Sequence, residues 1–470
     1  MALPTVVINS GTGSNTAASG AGPATALSGT AAATAASTIV TLLVDNPDLS
    51  GVATDGSAVI WIGSSSGRQF AKITGTNNTA GVKTVTVSDA FANTESGKNW
   101  GIGGKRASCA GSSRLFLDFR AGWTIDIQTG ETITADIVVT PGSNVAGSPA
   151  VIKSTSFTGT WGTQPILQTA TSAVAGFDVS SAQNLIIFGL EFKCTFGSPV
   201  GGNSGIVPKS GHANFITIAA CIFHGWSVGI NGVDAAFFRL QNLVVEQCEI
   251  YSCTDRGIDM GSNIDPIRMY KCYVHDNTNE GVRCGSGNFA SVYHRCVFAN
   301  NGLAGVQDNT SGSELQVTEC GFFGNASSGA QLVGLYLAGG SMSLVLEDNI
   351  FWNNGSGAGV SAGIHMTTEN SGIIRNNAFG GANQLVTGLD ANFAAFNTIT
   401  LTVDPRTSGT DNLLNSTAGG GALCRNAANP CANASATATN PDIGAIPSGG
   451  GAAAGGAVMY HPGMAGGMSS

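Results

Sequence analysis

The chain has 470 residues, a formal net charge of −9 and only 10% charged residues. It carries no basic patch or Lys/Arg run, which argues against direct nucleic-acid binding, and no apolar stretch approaches the roughly 18 residues of a membrane span. Its 67 glycines, without a collagen triplet, point to turn-rich β structure with flexible ends.

Residues 1–37 carry no charge and are dominated by Ala, Thr, Ser and Gly. They are expected as a low-complexity arm, extended or ordered only against a partner. The opening Met1-Ala2-Leu3-Pro4-Thr5 lacks the basic and long apolar regions of a secretion signal. That predicts a protein made in a host cytoplasm and released by lysis. Residues 38–115 hold strand-like runs, such as Ala58-Val59-Ile60-Trp61-Ile62 and Lys83-Thr84-Val85-Thr86-Val87, between turn clusters. They are expected as a small β cap over the first edge of the repeating region, since unpaired strand edges need cover.

From 116 to 400 the chain repeats. Cys194, Cys221, Cys248, Cys272, Cys296 and Cys320 are spaced 27, 27, 24, 24 and 24 apart. A period of this length implies one supersecondary unit stacked along an axis. Before each cysteine, alternate positions are mostly apolar, as in Leu243/Val245, Ile267/Met269 and Leu315/Val317. Two residues after it comes Ile250, Val274, Phe298 or Phe322, and five after it Asn277, Asn301 or Asn325. Nine after it comes Gly257, Gly281, Gly305 or Gly329. The alternation reads as short strands, and the Asn and Gly offsets as positive-φ corners. Beyond Cys320 the column passes to Asn349 and Asn377. The first coils, to about residue 240, are less regular, with an insertion from Cys194 to Asn214. Residues 401–447 are expected as a C-terminal cap ending in Asp442-Ile443-Gly444-Ala445, and 448–470 as a flexible Gly/Ala-rich tail.

Three short strands per coil with Asn- and Gly-marked corners resemble a right-handed parallel β-helix of the pectate-lyase-like superfamily, a form also used in phage tailspikes. The resemblance covers roughly 116–397 and implies an all-β, single-stranded solenoid. The same coil serves lyases, hydrolases, adhesins and virion parts, so the fold alone leaves function open.

The cysteines form one column, which suits a buried stack of free thiols rather than a converging metal site. Cys109, Cys253, Cys284, Cys424 and Cys431 show no ligand pattern. Cys424 and Cys431 are near enough in sequence to pair in an oxidising medium, but eleven is odd and leaves at least one thiol free. No cofactor or metal site is expected.

The densest ionisable cluster is Asp255, Arg256, Asp259, Asp265, His275, Asp276, Glu280 and Arg283. Column alignment opposes Arg256 to Glu280, Asp259 to Arg283 and Arg295 to Glu319, the pattern of charge pairs on an exposed face. Were the chain an enzyme, Asp276, Asp255 and Glu280 would be its catalytic candidates. Adjacent His275 and Asp276 should then point to opposite faces of a strand. Of the coil aromatics, Trp226, Tyr251, Tyr273, Tyr293 and Trp352 are expected to cap the core or cover corners, with sugar stacking as the alternative. His224 and His294 are expected to be structural.

These readings converge on a non-enzymatic phage virion surface protein, either a capsid decoration (cement or spike) protein or tailspike-like. The alternatives are a tailspike depolymerase, polysaccharide lyase or glycoside hydrolase, and a carbohydrate-binding adhesin. Partners would be other virion proteins, a host-surface glycan and, by family analogy, two further copies in a homotrimer. Nucleic acid and membrane insertion are not expected.

Overall fold

In the computed structural model, residues 5–8, 27–33, 36–42, 49, 52, 54, 59–62, 69–79, 83–88, 90–91, 94–102, 124–139, 149–171 and 174–197 are described. So are 203–232, 239–261, 266–285, 290–310, 314–326, 331–339, 343–355, 360–367, 371–381, 384–387, 395–396, 398–407 and 414–424. The chain divides into two compact units. One comprises Met1–Ala170, Val174–Phe192 and Tyr460–Ser470; the other comprises Thr171–Ala173 and Lys193–Met459.

In the first unit, six antiparallel strands close into a barrel in the order Leu27–Ala33, Ile39–Leu42, Lys83–Val87, Gln69–Asn77, Val59–Ile62, Glu95–Ile102. Val40, Ile60, Ile62, Ile73, Val85, Trp100 and Ile102 fill its interior, and closure removes its edges. Beside it in sequence, Thr124–Ile127 pairs in parallel with Ala150–Lys153, and that strand with Gln183–Phe188. The expected arm over 1–37 is redrawn by two described segments. Thr5–Ile8, a β-branched run, pairs in parallel with Thr124–Ile127, and Leu27–Ala33 belongs to the barrel. The edge of Thr124–Ile127 is thus covered by the start of the chain.

The second unit is a solenoid of three parallel sheets. Sheet 1 stacks Leu243–Glu246, Ile267–Tyr270, Ser291–His294, Glu314–Thr318, Ser343–Glu347 and Ser371–Arg375. Sheet 2 stacks Ile222–His224, Glu249–Tyr251, Tyr273–His275, Val297–Ala299, Gly321–Phe323, Ile350–Trp352 and Ala378–Gly380. Sheet 3 stacks Val228–Asn231, Arg256–Asp259, Val282–Cys284, Val306–Asp308, Gln331–Leu337 and Val360–Met366. Register keeps each column pure. Val245, Met269, Tyr293, Val317 and Leu346 stand in line on sheet 1. On sheet 2, Phe298, Phe322, Phe351 and Phe379 stack face to face inside, with centroids 5.1, 4.7 and 5.0 Å apart.

The corners differ from expectation in an instructive way. Positive φ falls at Ser252, Asp276 and Asn300, one residue before the predicted asparagine position, and at Gln247, Lys271, Arg295 and Glu319, one before the cysteine column, where none was expected. The column asparagines Asn277, Asn301, Asn325 and Asn354 are buried and linked amide to amide at 2.9 Å. The column glycines serve close approach: a Cβ on Gly257 would lie 2.6 Å from Gly281 O, and one on Gly281 2.6 Å from Gly305 O. After Gly305 this column continues through Gly334 and Gly363 rather than Gly329, because the coil there is longer, with Val306 in register with Leu335. Gly329 itself lies outside the described residues.

The described part of the C-terminal segment packs against the outer face of sheet 2. Leu414 and Cys424 are buried there with Val297, Ala299, Phe323, Ile350 and Ala378, and the Arg406 guanidinium sits 4.8 Å from the Phe323 ring centre. Asp442–Ala445, the tail 448–470, Asp265, Cys109 and Cys431 lie outside the described residues. Among those described, no helix is long and apolar enough to cross a membrane.

Candidate functional site

Asp255 and Glu280, two of the three catalytic candidates, are held by one guanidinium. Arg256 Nε donates to Glu280 Oε2 at 2.7 Å, and Nη1 donates to Asp255 Oδ2 at 2.7 Å and Asp259 Oδ2 at 3.3 Å. Asn279 Nδ2 also donates to Asp255 Oδ1 at 2.6 Å. Arg283 Nε and Nη2 reach the two oxygens of Asp259 at 3.1 and 2.9 Å. Arg295 meets Glu319 at 2.7 Å as the alignment predicts, and a pair the alignment missed, Arg375–Glu347, lies at 2.5 Å. Arg256–Glu280, Asp259–Arg283, Arg295–Glu319 and Glu347–Arg375 join neighbours one coil apart, while Arg256 meets Asp255 and Asp259 within its own coil. Their charges are spent on each other, whereas a working acid or base presents an unpaired carboxyl to substrate.

Asp276 is differently placed. His275 ends its strand, and Asp276, at φ 52°, turns the chain. That left-handed residue brings its side chain back beside its neighbour's, so the opposite-face expectation fails. His275 Nδ1 lies 2.7 Å from Asp276 Oδ2, and Nε2 lies 3.2 Å from Glu249 Oε1. The His275 side chain is 12% exposed, Glu249 30% and Asp276 52%. The imidazole is stacked between rings: Tyr273 at 3.9 Å and Tyr251 at 5.1 Å, with His224 next at 4.9 Å from Tyr251. This strip on the outer face of sheet 2 joins an imidazole, two carboxylates and two phenols. It can hold a hydroxyl-rich ligand by charged hydrogen bonds and ring contact, and it offers a proton-transfer pair in His275 and Asp276.

Glu249 is the member of this group that the sequence reading missed. It is one residue past Cys248, and Tyr251 and His275 share the column three past, so both positions face outward on the same strand set. That signal is present in the column alignment. The remaining candidates separate cleanly. Trp226 and Tyr293 are fully buried, so they serve the core. Trp352 is partly buried against the C-terminal segment. Burial lowers the pKa of His294, whose Nδ1 lies 2.9 Å from Thr318 Oγ1.

Cys253 proves to begin the asparagine column, its N–H donating to Asn277 Oδ1 at 3.0 Å. Cys194 is a coincidence of spacing: it lies against Gly225, four past Cys221. Among the described residues, no group of three or more His, Cys, Asp or Glu converges to hold a metal ion.

In the first unit, a shallow groove of about 420 Å³ is lined by Gly130, Glu131, Thr132, Gln164, Pro165, Ile166 and Gln168. Gln164 is buried there; its Oε1 accepts from Gly162 N–H at 2.8 Å, while its Nε2 has no partner.

The family described as "Right handed beta helix region" matches residues 169–322. No curated protein sequence matches the chain. Among solved structures, a pectate lyase, Pel9A, is similar at 15% identity and a TM-score of 0.40, over 73% of this chain and 91% of that one. The enzymatically active domain of bacteriophage CBA120 tailspike protein 2 is similar at 11% identity and 0.37, over 62% and 40%. The catalytic unit of a GH87 alpha-1,3-glucanase from Streptomyces thermodiastaticus is similar at 10% and 0.33, over 80% and 87%. At these values none bears on what this chain binds or does. The stacked parallel sheets form a β-helix, right-handed by the family match over residues 169–322.

Proposed function

We propose that this chain is a structural solenoid of a virion surface, a capsid decoration or tailspike-like protein that does not cut glycans. The observation that carries the reading is the saturation of charge by charge: Arg256–Glu280, Asp259–Arg283 and Arg295–Glu319 pair across successive coils, and Arg256 also pairs with Asp255 and Asp259 within its own coil. Such pairs decorate a face and discourage lateral strand pairing. Sparse charge and coil-to-coil backbone bonding suit a part that persists outside a cell. In this reading the protein is a homotrimer attached to other virion proteins. Mass spectrometry of dissociated, purified particles tests it. The protein should be a stoichiometric component, and its absence from every particle refutes the placement.

A second reading has a specific observation behind it. The His275–Asp276–Glu249 group beside Tyr251 and Tyr273 favours a glycan-binding or glycan-cleaving face. Assays for new reducing ends or unsaturated products on host polysaccharides separate the two. No turnover is expected, and turnover abolished by Asp276→Asn would establish the second reading.

A further inference from the structure

The thiols at the corner between sheets 1 and 2 form an unbroken file. Each of Cys221, Cys248, Cys272, Cys296 and Cys320 immediately precedes a sheet 2 strand, and those strands pair in register from Ile222 to Glu249, Tyr273, Val297 and Gly321, so the five follow one another coil by coil. All five are free and buried. The Cys296 N–H also donates to Cys320 Sγ at 3.4 Å. The file stops where Asn349 takes the column, its Oδ1 accepting from Cys320 N–H at 2.9 Å.

Parallel neighbours sit about 4.8 Å apart. A metal–thiolate bond is about 2.3 Å, so an ion midway between two sulfurs in line needs a gap of about 4.6 Å. The file therefore offers a row of two-coordinate, linear positions. It offers nothing to an ion that wants three or four ligands, since none converge here. Thiolate selects soft ions, and linear two-coordination is the habit of closed-shell monovalent ones. Charge agrees. When such an ion replaces one S–H proton, a thiolate, a cation and the neighbouring neutral thiol sum to zero, which a low-dielectric core tolerates. The proton passes to solvent and no electron moves.

We propose that Cys221, Cys248, Cys272, Cys296 and Cys320 form a linear binding site for soft monovalent ions such as copper(I) or silver(I), each held between sulfurs of adjacent coils. The site depends on the fold alone and stands apart from the virion reading. Burial raises the pKa of the Cys248, Cys272 and Cys296 thiols well above the ordinary range, so the ion must displace firmly held protons and uptake should improve as pH rises. With the sulfurs enclosed, loading belongs to folding.

The test is to fold the full chain in chloride-free silver nitrate and strip loose metal with free methionine. Retained silver is then counted by native mass spectrometry, and its ligand shell read by X-ray absorption. The parent should keep more than one silver ion, in a shell of two collinear sulfurs. Cys272→Ala should lose the ions on both sides of that position, while Cys284→Ala, outside the file, should lose none. No retained silver, an unchanged count in Cys272→Ala, or a three-sulfur or nitrogen/oxygen shell overturns the site. If Cys272→Ala fails to fold, the shell in the parent decides alone.

Discussion

At the corner between sheets 1 and 2, Cys272 Sγ donates to Val245 O at 3.3 Å and Cys320 Sγ to Tyr293 O at 3.4 Å. Further along the same column, Asn349 Nδ2 reaches Val317 O and Asn377 Nδ2 reaches Leu346 O, both at 2.8 Å. The corner between sheets 2 and 3 runs the other way, beginning with Cys253 and continuing with Asn277, Asn301, Asn325 and Asn354. In both corners the acceptor is the carbonyl three residues before the column position of the preceding coil. Thiol and amide thus fill one role. They differ in strength: sulfur donates weakly, whereas each amide also bonds its neighbour and accepts from the preceding backbone N–H.

The largest expected effect breaks the stronger ladder. Asn301 donates to Val274 O at 3.1 Å and to Asn325 Oδ1 at 2.9 Å, and it accepts from Asn277 N and Nδ2. Asn301→Leu strands buried partners on both adjoining coils and should cost about 3–5 kcal/mol in urea unfolding, at ~1–3 per unsatisfied group. A loss under ~1 kcal/mol would mean the amides are not the corner's main tie.

A column without a ladder gives the next effect. Cys284 and Asp308 are opposed at the end of sheet 3. Asp308 is fully buried; its Oδ1 accepts from Thr310 N and Oγ1, and its Oδ2 has no partner. Burial, only partly offset by Thr310, raises its pKa. A carboxyl raised on folding contributes stability below the unfolded value of about 4 and loses it as pH rises through the folded value. Asp308→Asn should therefore flatten the acid-to-neutral stability profile and gain about 1–2 kcal/mol at neutral pH. Unchanged pH dependence would contradict the assignment.

Cys320→Asn carries the amide ladder one coil further, onto Asn349, and should gain roughly 1 kcal/mol, the net worth of a hydrogen bond. A clear loss would mean that shape, not donor strength, selects cysteine there. The smallest effect is at a turn. Lys271 sits at φ 54°, a strain of about 1 kcal/mol for an L-residue that glycine relieves, less its own entropy cost of about 0.5–1. Lys271→Gly should shift the midpoint slightly upward or not at all.

Much of the solenoid is legible in the sequence because each role recurs once per coil. The apolar alternation, the passage from cysteine to asparagine and the pairs Arg256–Glu280, Asp259–Arg283 and Arg295–Glu319 all come from column alignment. What escapes it is what does not recur. The longer coil that moves the glycine column from Gly329 to Gly334 is a single insertion, and Cys194 shares a spacing without sharing a place. The barrel's Leu27–Ala33 lacks the bulky alternation that marks a strand, since its burial comes from closure. At the candidate site, strand geometry misplaces Asp276, which belongs to the corner, where a left-handed residue reverses that geometry.

The most direct measurement is thiol labelling of the native full-length chain, mapped residue by residue by mass spectrometry. Cys221, Cys248, Cys253, Cys272, Cys296 and Cys320 should stay unmodified under native conditions, label fully in denaturant, and show no disulfide. Burial raises the pKa of Cys253 to about 12 and those of Cys248, Cys272 and Cys296 well above the usual thiol range, which further slows any thiolate reaction. Rapid native labelling of the column, or a disulfide between its members, would contradict the interior ladders on which the coil is built.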